Sequence, residues 1–104
     1  MTPVIYRRFK KGGEVIAVFP TIPSSVYWGE CESYMHIGQH GTCSPTYLIN
    51  TLTIPAEFDA EDVVALRAEL ILLGYEDLKT YSRLQRKHYE TRVAEIKRLK
   101  NLYK

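Results

Sequence analysis

The alternation of hydrophobic and polar residues near the start of the chain predicts a β-hairpin. Two runs rich in β-branched and aromatic residues, VIYRRF (4–9) and EVIAVF (14–19), flank the tetrapeptide KKGG (10–13). Paired glycines supply the positive φ angles that a tight hairpin turn needs. Because the second run is apolar on both of its faces, we expect it to be a central strand. The prolines of PTIPSS (20–25) then end it, since proline cannot donate a ladder hydrogen bond.

A third strand is predicted over residues 32–37, and it stops at Gly38 and Gly41. Successive side chains of a strand point to opposite faces. The core-facing set is expected to be Ser33, Met35 and Ile37. The outward face carries Tyr34 and His36. Further along, TYLINTLTI (46–54) is either a fourth strand or a short helical turn, and its β-branched residues favour a strand.

From Asp59 onward the hydrophobic pattern takes on the period of an α-helix. A helix is predicted over residues 60–73. Its expected buried stripe is Val63, Leu66, Leu70 and Leu73. Asp59 and Asp62 resemble an N-capping arrangement, and Gly74 lies where a left-handed C-cap belongs.

The C-terminal part of the chain is predicted to hold a short strand and a second helix. Residues 75–81 are compatible with a strand, and residues 84–103 show helical spacing. The expected apolar stripe of this helix is Tyr89, Val93, Ile96, Leu99 and Tyr103. We therefore predict a single α+β domain over residues 1–104, with an antiparallel sheet of three to five strands and two helices. The basic C-terminal helix (83–104) is expected to lie across this domain or to project beyond it.

Length and composition favour one cytoplasmic domain. The chain has 104 residues, of which 45% are hydrophobic and 25% charged, as in ordinary globular proteins. Charges precede any apolar run at the N-terminus, so we expect no signal peptide, and no apolar stretch approaches the roughly 20 residues of a membrane span. A soluble cytoplasmic protein without a membrane partner is the expectation. Its two cysteines are then predicted to be reduced thiols or ligands rather than a disulfide.

Charge is strongly segregated along the chain. Residues 1–11 carry a formal charge of +4, residues 12–78 carry −9, and residues 79–104 carry +7. This pattern indicates either a polyanion-binding face at the two ends or basic ends that pack beside an acidic middle. The candidate polyanion contacts are Arg7, Arg8, Arg83, Arg86, Lys97 and Lys104. The last four would form a basic ridge on the second helix, although a charged helix face is more often simply solvated.

The stretch SYMHIGQH (33–40) allows several kinds of site. Cysteines flank this stretch on both sides, and together with its two histidines they give the spacing Cys-x4-His-x3-His-x2-Cys. Thiolate and imidazole are ligands that suit zinc. The residues of that candidate site are Cys31, His36, His40 and Cys43. The spacing lacks the Cys-x2-Cys knuckle of common structural zinc sites, so we expect no bound metal. We also expect no other cofactor.

Four further interpretations do not need a metal. His36 and His40 could act as a general acid and base in phosphodiester cleavage, but no glycine-rich phosphate cradle accompanies them. A Cys31–His36 nucleophile pair lacks an orienting third group in the local sequence. The segment can also be a strand that enters a glycine turn, with histidines that support the turn. Finally, an exposed binding surface can be built from Tyr34, His36, Gln39 and His40.

Two runs, GEVIAVFP (13–20) and CESYMHIGQHG (31–41), together with the pairs Glu69-Leu70 and Gly74-Tyr75, carry a resemblance to a known family. The chain resembles small uncharacterised proteins of bacterial plasmids, phages and conjugative elements that share the motif C-x-S-Y-x-H-x-G-Q-H. The likeness spans about residues 5–78 and leaves out the basic C-terminal helix. It implies an accessory role in a mobile genetic element and transfers no activity. The family pattern does not require a cysteine at position 43, which weakens the zinc interpretation.

These observations favour a non-enzymatic binding module for nucleic acid or a protein partner. The first alternative is a small, metal-independent, histidine-dependent nuclease, and the second is a structural zinc-binding domain. The sequence leaves the oligomeric state open.

Overall fold

The predicted N-terminal hairpin is confirmed and forms the middle of the β-sheet. Strand β1 (Thr2–Phe9) pairs antiparallel with β2 (Val15–Pro23). In the connecting turn Gly12 and Gly13 have φ angles of 93° and 79°, a left-handed conformation that glycine adopts at little steric cost. Strand β2 has neighbours on both sides, so its prediction as a central strand is also confirmed.

The sheet is larger than expected and it is mixed. Four more strands follow the hairpin: β3 (Cys31–Met35), β4 (Gln39–Cys43), β5 (Thr53–Pro55) and β6 (Leu78–Thr80). The strand order is β4-β3-β2-β1-β5, and β6 pairs parallel with the first residues of β1. Within the part of the chain that the structure describes, the expected antiparallel sheet of three to five strands is therefore corrected to a mixed sheet of six. Strand β4 was missed because its central Gly41 was interpreted as part of a turn.

The helices of this computed structural model occupy three positions in the chain. A single α-helical turn, α1 (Pro45–Tyr47), runs into a π-helical turn (Leu48–Leu52), and the longer helices are α2 (Glu61–Leu72) and α3 (Arg86–Leu102). The helical alternative for residues 46–54 is thus correct as far as position 52. None of the helices in the described chain is long and apolar enough to cross a bilayer.

The structure describes residues 1–24, 29–36 and 38–102. The predicted roles of Ile37 in the core, Tyr103 in the apolar stripe and Lys104 in the basic ridge lie outside these residues. The described residues form one α+β domain, as expected, with three helices instead of two.

Both faces of the sheet are covered, and each holds its own cluster of buried side chains. The first cluster lies under α2 and contains Val4, Tyr6, Val15, Ala17, Phe19, Tyr34, Val63, Leu66 and Leu70. The second lies on the opposite face and contains Ile5, Ile16, Val18, Cys31 and Leu48. Because β1 and β2 serve both clusters with alternate residues, they are apolar at every position from 4 to 6 and from 15 to 19.

Helix α2 confirms the predicted position with two corrections. Val63, Leu66 and Leu70 are buried, but Leu73 is 50% exposed because it follows the last helical residue. The N-cap is Ala60, without a side-chain hydrogen bond, so the predicted capping role of Asp59 is wrong. Gly74 has a φ angle of 99°, which confirms the left-handed C-cap.

Helix α3 packs along β2 with a buried face that the sequence indicated only in part, since Ile96 is buried and Val93 and Leu99 are half-buried as predicted. Tyr89, predicted in the apolar stripe, is 48% exposed, whereas His88 and Arg92 are buried beside Ile96. The guanidinium of Arg92 donates a hydrogen bond of 2.6 Å to the carbonyl oxygen of Pro20. The carbonyl lies where the register between β2 and β3 shifts, and this hydrogen bond gives the buried Arg92 side chain a partner.

Acid should destabilise the domain through His88. Burial lowers the pKa of His88, and its Nδ1 accepts a 3.1 Å hydrogen bond from the Gln85 N–H, which requires an unprotonated nitrogen. The unfolded chain binds this proton at about pH 6.5 and the folded chain only at lower pH, so stability is lost as the pH falls below that value. Urea unfolding at pH 7 and pH 5 should show a smaller acid loss in His88→Asn, whose side-chain oxygen can still accept the Gln85 N–H. Equal losses in both proteins would contradict this assignment.

Candidate functional site

The segment SYMHIGQH forms the β3–β4 hairpin with its turn. Tyr34 lies opposite His40, and Met35 lies opposite Gln39, in the antiparallel register. Gly38 has a φ angle of 75° and its carbonyl accepts a hydrogen bond from the His40 N–H at 3.3 Å. The prediction of a strand that enters a glycine turn is confirmed at Gly38, and the chain then continues as a strand.

A polar network joins this hairpin to helix α2. The Tyr34 hydroxyl donates a hydrogen bond to one carboxylate oxygen of Glu69, and Nδ1 of His36 contacts the other. The Gly38 N–H in turn donates to the Tyr34 hydroxyl at 2.9 Å. The hydrogen bond to the Glu69 carboxylate raises the pKa of Tyr34. Glu69 therefore fixes both the turn and the direction of the His36 ring.

Tyr34 was predicted on an outward face, and this prediction is wrong. The side chain is 1% exposed and belongs to the cluster under α2. Alternation in β3 correctly placed Tyr34 and Met35 on opposite faces of the sheet. Because both faces are covered by other elements, alternation alone could not show which side chain is exposed. His36 is on the same face at its edge, where its side chain is 63% exposed.

The other two residues of the predicted binding surface are exposed. The His40 ring packs edge-on against the Tyr34 ring, with 4.7 Å between the ring centroids. Gln39 is exposed at the start of β4. The structure thus brings His36, Gln39 and His40 together around the turn, above a buried Tyr34.

Tyr34 and His36 should differ in their effect on stability. Tyr34→Phe removes a donor to Glu69 and an acceptor for the Gly38 N–H, so we expect a loss of about 1–2 kcal/mol in the free energy of unfolding. His36→Ala removes an exposed contact and should cost less than about 1 kcal/mol. His40→Ala should be similarly mild. Urea denaturation tests this order, and a loss for His36→Ala as large as that for Tyr34→Phe would make the histidine a support of the turn.

An acidic cleft adjoins the turn. It has a volume of about 830 Å³ and lies between β2, the β3–β4 turn and the start of α2. Its charged and polar lining residues are Glu14, His36, Gln39, Glu61 and Asp62. Arg8 forms a two-pronged ion pair with Asp62, with contacts of 2.6 and 2.9 Å, and this pair lowers the pKa of Asp62. Among the described residues no lysine or arginine lines the cleft.

The outer face of α2 is apolar, which the sequence analysis missed. Val64, Ile71 and Leu72 are 45%, 60% and 87% exposed. Helical spacing places these side chains on one face, with Ala68 between them. Phe58, just before the helix, is 56% exposed and stacks on the Arg67 guanidinium at 3.9 Å. The signal was present in the sequence, since the apolar residues of EDVVALRAELIL are not confined to one stripe, whereas those of a typical surface helix are.

The four candidate zinc ligands do not come together. Cys31 and Cys43 face each other in the β3–β4 register on the face opposite α2. His36 and His40 contact Glu69 and Tyr34 on the α2 face. Within the described chain no group of three or more histidine, cysteine or acidic side chains is placed to hold a metal ion.

Arg7 cannot serve as a surface contact because it is buried. Its side chain, 7% exposed, donates hydrogen bonds to the Thr53 hydroxyl at 3.0 Å and to the carbonyl oxygens of Ile49 and Thr53 at 2.9 and 3.0 Å. Arg7 thus ties β1 to the π-helical turn and β5. Burial lowers the pKa of this guanidinium.

The basic residues near and on α3 are exposed, but Arg83 precedes the first residue of the helix, so the predicted ridge on α3 is corrected to Arg86 and Lys97 among the described residues. Arg83, Arg86 and Lys97 are exposed, and Arg86 forms an ion pair with Glu90 at 3.2 Å. Together with the buried Arg7 and the paired Arg8, this arrangement leaves only part of the predicted polyanion set available.

Comparison with known proteins adds no candidate function, since the chain matches no protein family, curated protein or solved structure at a significant level.

Proposed function

We propose that the chain is a non-enzymatic accessory module that binds a protein partner through the outer face of α2 and the adjoining acidic cleft. The observation that carries this proposal is the exposure of Leu72, Ile71 and Val64 on one helix face. Exposed apolar side chains scattered singly are normal, but a contiguous row beside charged groups is typical of a protein-binding surface.

The chemistry of the surface indicates the kind of partner. The apolar row continues into the cleft through Ala65, which lines it. The cleft itself presents Glu14 and Glu61 as exposed carboxylates. An amphipathic segment with apolar side chains on one face and lysine or arginine at its rim would bury the row and pair with these acids. A basic protein segment therefore fits this surface better than a polyanion.

A nucleic-acid partner remains the alternative within the same class. Its support is the exposed basic set Arg83, Arg86 and Lys97, which lies apart from the cleft. Binding there should weaken steeply with salt, because phosphate contacts release counterions. An accessory role in a mobile genetic element is compatible with either partner and rests on the resemblance alone.

One observation favours an enzyme. The Glu69 carboxylate holds Nδ1 of His36, which leaves the other ring nitrogen for solvent, as in a carboxylate-oriented general base. Phosphodiester cleavage also needs a cation to hold the phosphate. The cleft beside His36 is lined by Glu14, Glu61 and Asp62 instead. We therefore rank a histidine-dependent nuclease second.

The test uses a labelled model helix with leucine on one face and lysine on the other. Fluorescence anisotropy should show binding to the wild-type protein and at least about tenfold weaker binding to Leu72→Ser, which corresponds to about 1.4 kcal/mol. The matched control is Leu102→Ser on α3, where an equally apolar side chain is 64% exposed. Its affinity should equal that of the wild type.

Four outcomes would contradict the proposal. One is the absence of binding to the wild type, and another is an equal loss in both variants. A third is a wild-type dimer that Leu72→Ser converts to a monomer in sedimentation experiments, which would make a second copy of the chain the occupant of this surface. The fourth is chelator-resistant hydrolysis of single-stranded RNA that is lost in His36→Ala, which would establish the enzyme.

A further inference from the structure

Two cysteine thiols face each other across the β3–β4 hairpin. Cys31 and Cys43 are directly opposite in the antiparallel register, and 3.8 Å separates their Sγ atoms. Both thiols are free. Nothing in the proposed binding surface on the α2 face uses them.

The backbone is already in place for a bond between them. Directly opposed residues of an antiparallel pair have Cα atoms about 4.5–5.5 Å apart. A disulfide accepts Cα separations of about 4.4–6.8 Å. Rotation of the two side chains is therefore enough to bring the sulfurs from contact to bonding distance, without a shift of either strand.

The two thiols have different environments. Cys31 is fully buried and Cys43 is half-buried. A hydrogen bond from the Cys31 thiol, a second from Ser33 and the charge of Arg92 lower the pKa of Cys43. The same contact and burial raise the pKa of Cys31. Cys43 is thus the thiol that can attack, and Cys31 is the thiol that can resolve the product.

A cavity gives a small reagent access to Cys43. It has a volume of about 420 Å³ and opens between β4 and the α1 segment. Besides Cys43, its polar lining residues are Ser33, Gln39, His40, Thr42, Ser44 and Tyr47, and the rest of the lining, apart from Gly41, is apolar. These groups can accept the peptide portion of a thiol tripeptide beside the attacking sulfur.

We propose that Cys31 and Cys43 form a reversible thiol–disulfide site that reacts with low-molecular-weight disulfides of the glutathione type. The Cys43 thiolate attacks one sulfur of the external disulfide, which breaks its S–S bond, forms a mixed disulfide and releases one thiolate. The Cys31 thiol then loses its proton and attacks the Cys43 sulfur, forming the intramolecular bond and releasing the second thiol. The protein loses two protons and two electrons, and the external disulfide takes them up and is reduced to two thiols.

This disulfide would covalently link β3 to β4, the two strands that flank the turn next to His36. Residues 31 and 43 enclose the whole β3–β4 hairpin, so the oxidised protein should unfold at a temperature several degrees higher, because the bond restricts the unfolded chain. The effect needs no binding partner and is independent of the proposed function.

The experiment equilibrates the full chain with oxidised and reduced glutathione in defined ratios and measures intact mass without reduction. Wild-type protein should lose about 2 Da and become resistant to alkylation at both cysteines. Cys31→Ser should instead retain one glutathione on Cys43, about 305 Da heavier, because the resolving thiol is missing. Cys43→Ser should gain no adduct, since the remaining thiol is buried.

Circular dichroism confirms that each variant is folded, and Cys31→Ala replaces Cys31→Ser if the buried hydroxyl unfolds the chain. Three results would overturn the proposal. They are a wild type that stays reduced under oxidising ratios, a disulfide-linked dimer in place of the intramolecular bond, or a glutathione adduct on folded Cys43→Ser but not on folded Cys31→Ser.

Discussion

Leu70→Ala should lower the free energy of unfolding by about 2–5 kcal/mol. Leu70 is fully buried at the centre of the cluster that joins α2 to the sheet. Its truncation removes buried methyl groups and leaves a cavity that neighbours in two layers can fill only partly. A loss of this size threatens folding in a domain whose total stability is of order 5–15 kcal/mol. Equilibrium urea unfolding measures it directly.

Leu73→Ala provides the matched control. The same residue type lies three positions along the chain, outside the last turn of α2 and 50% exposed. Its truncation should cost less than about 1 kcal/mol. A cost below about 1 kcal/mol for Leu70→Ala would show that the buried face of α2 is misassigned.

Arg7→Ala should be the second severe substitution, with a loss of about 2–4 kcal/mol. The truncation removes the donor from two buried acceptors, the Thr53 hydroxyl and carbonyl, and from the partly buried carbonyl of Ile49. Each unsatisfied buried group costs about 1–3 kcal/mol unless water reaches it. The π-helical turn and β5 should loosen together. Thermal and urea unfolding both measure the loss.

The neighbouring arginine is the control. Arg8 carries the same charge but forms an exposed ion pair with Asp62, and an exposed pair contributes less than about 1 kcal/mol. Arg8→Ala should therefore remain close to the wild type. Equal stability of the two variants, with loss of polyanion binding in Arg7→Ala, would restore the interpretation of Arg7 as a surface contact.

The elements that could be predicted are those with strong local signals. Paired glycines between two β-rich runs fixed the first hairpin, and the change of period at Asp59 with Gly74 at its end fixed α2. Strand β4 gave no such signal, since QHGTC has little β propensity and pairs only because β3 lies beside it. The first hairpin and α2 can therefore be predicted from local sequence, whereas β4 forms only through its pairing with β3 in the folded chain.

The candidate site was predicted in its residues and only partly in its geometry. His36, Gln39 and His40 do surround one turn, but Tyr34 lies in the core and Glu69, from another element, holds the network together. A single sequence does not show which distant carboxylate meets a histidine. The buried arginines illustrate the same limit, because Arg7 and Arg92 satisfy carbonyl groups that only the folded chain brings near them.

The central claim is that the outer face of α2 and its acidic cleft bind a basic amphipathic protein segment. Amide chemical shifts of the ¹⁵N-labelled protein, followed during titration with the leucine–lysine model helix, test it most directly. We expect the largest changes on residues 61–72 of α2 and on His36 and Gln39 at the rim of the cleft. Changes concentrated on α3, or no changes at saturating peptide, would contradict it.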